Sequence, residues 1–234
     1  MEGISVITCT MRPGQIDAIL NNYSRQRMHE KELIVVLNND EIDLTEWKQR
    51  AAAYPQVSVY KLPEKTTLGH CLNFAVRKTN HAVLAKMDDD DYYAPNYLRQ
   101  AMEALERTGA AIVGKMSVVT YFEGYDLLAI RKPGHEHEFL EDVDFGKTHV
   151  GGGTMVWRKN RSLGFRNFNL GEDVVFQKEC MRKRFPIYST DMKNYVSIRR
   201  TDKSSHTWQG QDEPILNECK LIGRGIDYKT YVEG

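Results

Sequence analysis

The sequence predicts an α/β fold with a mostly parallel, Rossmann-like central sheet flanked by helices. Three observations predict it. Short, apolar, β-branched runs alternate with amphipathic helical stripes four times before residue 110. The most apolar runs have the length and composition of strands buried on both faces, as parallel sheets require. Each run feeds a helix rather than a tight turn, and parallel neighbours need such right-handed crossovers.

The elements follow in order. "ISVITCT" (4–10) reads as a strand, punctuated by "MRPG", and Ile16, Ile19, Leu20 and Tyr23 then keep helical spacing. "ELIVVL" (32–37) is a buried strand ending in the turn-forming "NND" (38–40), and Leu44, Trp47 and Ala51 mark the next helix. "VSVYKL" (57–62) is a third strand, followed by a stripe of Leu68, Cys71, Leu72, Ala75 and Val76. "HAVLAKM" (81–87) is the fourth strand, and Leu98, Met102 and Leu105 mark a helix that stops near Gly109. Ligands of such sheets bind beyond the carboxyl ends of the strands. "TMRP" (10–13), "NND" and Asp88–Asp91 all lie there, so three loops are expected to converge on one rim.

The second half is less regular. "AIVGKMSVVTYF" (111–122) and "DLLAIRK" (126–132) look like paired strands. Residues 133–150 read as a long polar loop, the length at which loops become functional, here a mobile lid. "GGGTMVWRK" (151–159) returns to strand, 171–185 to helix with Phe176 and Cys180 on one face, and "NYVSIRR" (194–200) to strand. Residues 201–210 and the last two dozen read as surface structure.

Composition narrows the function. With 32 basic and 32 acidic residues, the chain lacks the charge excess of a general nucleic-acid binder. Cys9, Cys71, Cys180 and Cys219 are scattered without a CxxC pair, which points to reduced thiols in a cytoplasmic protein. No leader-like segment opens the sequence, and no apolar run approaches the roughly 18 residues of a membrane span. A peripheral membrane contact and a homo-oligomer are both compatible with this composition.

"LAKMDDDDYYAP" (84–95) poses the chemical question. Adjacent carboxylates repel and raise one another's pKa. A helix N-terminus near Pro95 accounts for one or two of them. A hard cation such as Mg²⁺ or Mn²⁺ accounts for more, and it would neutralise a departing diphosphate. "NLGEDVVF" (169–176) holds a second acidic pair, Glu172 and Asp173, which suits a helix start or a general base.

"KMDDDDYYAPNYL" resembles the "lDxDDyy.P..l" signature of family-2 glycosyltransferases with the nucleotide-diphospho-sugar (GT-A) fold. The opening "SVITCTMRPGQIDAILNNYSRQ", then "ELIVVLNND" and "KTTLGHCLNFAVRKTN" with Gly69 and Asn73, are similar to the same family, most of all its spore-coat polysaccharide type. The resemblance covers residues 3–107 and scattered motifs beyond. It implies one domain, with residues 1–110 binding the nucleotide-sugar and 111–234 the acceptor. It implies that Asp88 contacts the ribose side and that Asp90 holds the metal, with Asp91 assisting or capping the helix. Thr10 and Asn38 would hold the base, and Lys65 would lead a loop touching the nucleotide. Asp173, with Glu172 second, would be the base of an inverting transfer, and Gly151–Gly153 would line the acceptor cleft. His206 would complete the metal sphere; the neighbouring Arg199 and Arg200, by guanidinium chemistry alone, suit either the diphosphate or a solvated strand edge. Two positions depart from the pattern: Met11 stands where a Tyr is common, and Asn38 where an Asp reads the uracil edge.

The expected reaction moves a sugar from a nucleotide-diphospho-sugar, of the UDP class, to a carbohydrate or glycoconjugate hydroxyl, with Mn²⁺ or Mg²⁺. Its place would be the cytoplasm, at a membrane periphery or in a forming spore. The alternative is a catalytically silent relative serving coat or envelope assembly. A nucleotidyltransferase would need a Gly-rich basic loop after the first strand, which "TCTMRPGQ" lacks.

Overall fold

The computed structural model describes residues 2–202 and 210–234. The first strands are β1 (Ile4–Thr10), β2 (Lys31–Leu37), β3 (Val57–Lys61) and β4 (Val83–Lys86). They are linked by α1 (Ile16–Ser24), α2 (Leu44–Ala51) and α3 (Leu68–Lys78), and β4 leads through the two-residue β5 (Tyr92–Tyr93) to α4 (Tyr97–Thr108). The four strands pair in parallel in the order β3-β2-β1-β4. Their side chains alternate between two cores. Leu33, Val35 and Leu37 join the cluster under α1, α2 and α4, while Ile34 and Val36 join the one under α3. That two-sided burial is why β2 is apolar throughout. Asp43 caps α2 by accepting from the Thr45 and Glu46 N–H groups, and Gly109, at φ 68, ends α4.

The remaining elements are β6 (Ile112–Gly114), β7 (Val118–Phe122), β8 (Leu127–Arg131), β9 (Glu138–Phe139), β10 (Val156–Arg158), α5 (Glu172–Arg182), β11 (Ile187–Ser189), β12 (Tyr195–Arg199), α6 (Asp212–Leu216), β13 (Cys219–Arg224) and α7 (Tyr228–Glu233). The main sheet continues as β4-β10-β6-β11-β9, with β10 and β9 antiparallel to their neighbours. A second sheet runs β13-β8-β7-β12-β5.

Two expectations are corrected. Residues 111–122 are not one strand: β6 stays in the main sheet and β7 starts the second. The chain turns at Lys115, whose buried ammonium donates to the Asp191 carbonyl at 2.7 Å and to Gln100 Oε1 at 3.2 Å. The C-terminal stretch is more than surface, because β13 pairs with β8 and Val232 of α7 is buried beside Val119 and Leu128. The four cysteines are free thiols, and no helix among the described residues is long and apolar enough to cross a membrane.

One inter-element contact positions the site. The Asn73 side chain pairs with Phe165 as a backbone would, donating to its carbonyl at 2.7 Å and accepting its N–H at 2.9 Å. One turn earlier, Gly69 donates its N–H to the Phe168 carbonyl at 3.0 Å. A Cβ at Gly69 would sit 1.8 Å from the Arg166 carbonyl oxygen. Helix α3 thus clamps the segment that leads into α5. Gly69→Ala is expected to cost about 1–3 kcal/mol, because the obstruction is backbone. Thermal denaturation should show a midpoint several degrees lower, and an unchanged midpoint would mean that residues 165–169 move aside freely.

Candidate active site

The four aspartates after β4 line a cleft of about 240 Å³. Every one of the four carboxylates is partnered, and Asp89 and Asp90 share Arg12. Asp88 is bridged by Lys86, two residues earlier on β4. Asp89 is buried, accepting from the Thr10 hydroxyl and paired with Arg12. Asp90 Oδ2 lies 3.3 Å from Arg12 and 3.6 Å from Arg200. Asp91 accepts from the Tyr195 hydroxyl and, at 3.0 Å, from the Ile198 N–H of β12. None of them lies in the first turn of α4, whose N-cap is Asn96, so the helix-capping role expected of Asp91 is corrected. Burial and the Asp90 charge raise Asp89 to about 6, against the pull of Arg12 and Thr10. Burial, with Asp90 and Asp88, also raises Asp91.

The second acidic pair opens α5. Gly171 precedes it at φ 78, a conformation glycine adopts without strain, and lets the chain turn into the helix. Glu172 is buried and Asp173 partly exposed, and both line the cleft. Burial lifts Glu172 to about 7, against Lys86 and with Asp173 adding to the rise. Burial disfavours the Lys86 charge, but Asp88, Glu172 and Asp173 outweigh it and raise its pKa. The glycine run touches both groups of carboxylates. A Cβ on Gly152 would lie 2.2 Å from Asp173 Oδ2, and one on Gly153 would lie 2.6 Å from Asp88 Oδ2. Tyr93 fixes that strip. Its hydroxyl donates to the Gly153 carbonyl and accepts the Asp88 N–H, both at 2.7 Å.

The three loops converge as expected. The Asn38 N–H donates to the Thr10 carbonyl at 2.8 Å, and Asn39 Nδ2 to the Met11 carbonyl at 2.9 Å. Asn38 Nδ2 donates to the carbonyls of Pro63 (2.8 Å) and Glu64 (3.3 Å), beside exposed Lys65. Both partners are acceptors, so the amide nitrogen must face them and Oδ1 points away. Thr10 acts on Asp89. Arg199 is buried, paired with Asp212 at 3.0 Å and lines the cleft, while Arg200 reaches Asp90. His206 and Trp208 lie outside the described residues. Trp157 is core, edge-on to Phe165 and Phe176. Sequence reasoning missed Lys86 and Arg12. Alternation along β4 places Lys86 and Asp88 on one face and could have found the first. A lone loop arginine carries no such pattern.

Asp88 and Asp90 offer the hard oxygen donors that Mg²⁺ and Mn²⁺ prefer. Among the described residues no three ligating side chains form a complete cage. One or two carboxylates plus substrate phosphate oxygens are the usual Mg²⁺ set, and these residues fit it. The His135–Glu138 contact at 2.9 Å does not extend to a second cluster among the described residues.

A family model described as glycosyl transferase family 2 matches residues 5–164, more than half of the chain. The chain belongs to that family. In this family-2 chain the match takes in the β1, β2 and β4 loops and the glycine strip. The O-antigen biosynthesis glycosyltransferase WbnJ of Escherichia coli is 23% identical over 189 residues, covering 79% of this chain and 65% of that protein. The solved structure of S. aureus TarS 1–349 in complex with UDP-GlcNAc matches with TM-score 0.63 and 17% identity, over 86% of this chain and 59% of that one. The mannosyltransferase PcManGT of Pyrobaculum calidifontis, in complex with GDP-Man and Mn²⁺, matches with TM-score 0.61 and 15% identity, over 87% of this chain and 59% of that one. The chain thus spans 65% of the curated relative and about 59% of these structures. The fold is GT-A-like, with the mostly parallel central sheet the sequence predicts.

The raised carboxyl of Glu172 has a signed consequence. Its ordinary value is 4.5, so between 4.5 and about 7 the native state holds more protons than the unfolded chain. Stability therefore falls as pH rises through that window, by roughly 3 kcal/mol from this group. Urea unfolding in metal-free buffer at pH 4.5 and 7.5 should show a steeper loss for wild type than for Glu172→Gln. Parallel losses would mean that Glu172 titrates normally.

Proposed function

We propose that this chain transfers a sugar from a nucleotide-diphospho-sugar to a carbohydrate or glycoconjugate hydroxyl, inverting the anomeric centre. The observation that carries it is the glycine strip, where side-chain-free backbone lies between Asp88 and Asp173. A donor phosphate at the first carboxylate group and an acceptor hydroxyl at the second can then approach each other closely. Asp173 accepts the acceptor's proton, the freed oxygen attacks the anomeric carbon, and the bond to the diphosphate oxygen breaks. Asp90 would hold Mn²⁺ or Mg²⁺, which when bound neutralises charge on the leaving diphosphate, and Asp88 would contact the ribose side of the donor. His206 remains our candidate for a further ligand, and Lys65 and Arg199 for donor contacts. Residues 1–110 serve the donor and 111–234 the acceptor, apart from the donor-side Arg199 and His206.

Asn38 is compatible with a uracil base. Its outward Oδ1 is an acceptor and suits an imino N–H, which uracil, thymine and guanine carry and cytosine and adenine lack. The UDP-GlcNAc complex of TarS supports uracil, while the GDP-Man complex of PcManGT keeps guanine as the second candidate. WbnJ, named for O-antigen biosynthesis, favours a polysaccharide acceptor.

Asp173→Asn is expected to lower transfer about 10²–10⁴-fold while leaving the UDP dissociation constant nearly unchanged. Transfer at the wild-type rate would refute the base assignment. Calorimetry with UDP, GDP and dTDP settles the base, and a folded protein that binds none would favour the catalytically silent alternative.

A further inference from the structure

Asp90 is both our cation ligand and the anchor of two guanidinium groups. Arg12 pairs with Asp89 and reaches Asp90 Oδ2 at 3.3 Å. Arg200 approaches the same oxygen at 3.6 Å and donates to the Asp90 carbonyl at 3.4 Å. These side chains are 15–22% exposed, so water screens the contacts weakly. A divalent cation at Oδ2 would bring a third positive group to one oxygen. Like charges that close in a weakly screened site repel strongly. Cation and guanidinium groups cannot share that oxygen at low cost unless further negative charge arrives.

We infer that Arg12, with Arg200, is an internal counter-ion that occupies the cation's place on Asp90 in the donor-free protein and passes to the donor's diphosphate when cation and nucleotide bind together. The inference rests on the donor-site reading above. Arg12 is suited to the exchange. It sits in the β1 loop beside the base-facing Asn38–Asn39 turn, to which that loop is hydrogen bonded. Its planar fork grips a phosphate as readily as a carboxylate pair. Arg12 is then a positioning residue. It weakens cation binding to the empty site and couples cation to nucleotide, because the diphosphate adds the negative charge that lets cation and guanidinium stay side by side.

The test is calorimetric and needs no turnover. Mn²⁺ is titrated into nucleotide-free protein, and UDP into protein with EDTA or with saturating Mn²⁺. In wild type, Mn²⁺ should tighten UDP binding about tenfold or more. In Arg12→Gln, Mn²⁺ should bind the nucleotide-free protein about threefold or more tightly than wild type, while UDP with Mn²⁺ binds more weakly, so the coupling shrinks. Arg12→Lys keeps the charge without the fork and should fall between the two, which provides a second reading if Arg12→Gln folds poorly. Asp90→Ala should abolish the Mn²⁺ effect. Unchanged or weaker Mn²⁺ binding to nucleotide-free Arg12→Gln would overturn the inference, as would independent binding of Mn²⁺ and UDP to wild type. Failure of wild type to bind UDP at all would instead refute the donor-site reading.

Discussion

Mutual repulsion among Asp88, Asp89, Asp90 and Asp91 is the constraint around which the molecule is arranged. Like charges 4 Å apart cost about 4 kcal/mol at an effective dielectric of about 20. A helix dipole returns only about 0.3–1 kcal/mol per exposed charge. Capping could never hold four carboxylates, and α4 takes none of them into its first turn. The chain instead spreads the carboxylates over β4, the β1 loop and the β12 end, with Asp89 and Asp90 sharing Arg12. Asp88 goes back to Lys86 on β4, Asp89 to the β1 loop, Asp90 to that loop and to Arg200, and Asp91 to β12. Satisfying the four charges therefore ties the two sheets together. The β5–β12 pairing of Tyr93 with Tyr195 is the backbone expression of the same junction.

The second acidic pair depends on contacts far from it in sequence. Asn73 and Gly69 lie about a hundred residues before Asp173, yet they fix the segment that enters α5. Asn73 satisfies two backbone groups of Phe165 that a loop would otherwise leave to water. Stacking of Phe165 on Phe176, with Trp157 edge-on, carries that fixation into the core. The base candidate is thus presented by a helix whose entry is held by α3, while its opposing wall is Gly152. A carboxylate that must take a proton at one point in space gains from being set by rigid elements on both sides.

The first half of this arrangement is legible in the sequence because its elements are local. Strand β2 is apolar throughout, and the helix stripes of α1 to α4 repeat at helical spacing, so pattern alone fixes them. The break between β6 and β7 is not legible. Ile112, Val113, Val118 and Val119 have the same β-branched character on both sides, and what separates them is Lys115 reaching Asp191 and Gln100 across the fold. The aspartates announce chemistry because so many like charges have no structural excuse. Arg12 announces nothing, because one arginine in a loop is ordinary until Asp89 and Asp90 are placed beside it. The roles of Gly69 and Asn73 are likewise visible only once residues 165–168 pack against α3.

Asn38 shows how a departure from a family pattern can be forced locally. Its amide donates to the Pro63 and Glu64 carbonyls, which hold the loop after β3 against the loop after β2. An aspartate there would turn carboxylate oxygens toward two carbonyl oxygens, with no proton between them. It would also add a charge beside Asp40 and Glu64, which already exchange hydrogen bonds with each other's backbone N–H groups at 3.1 and 3.4 Å. The amide removes both conflicts and keeps one acceptor, Oδ1, on the side away from the loop. For reading an imino N–H, an acceptor oxygen is what matters, and asparagine retains it. The loop geometry and the base-reading chemistry are therefore compatible with the same residue. The asparagine that sets this chain apart from the family resemblance is the residue whose amide satisfies the two β3-loop carbonyls.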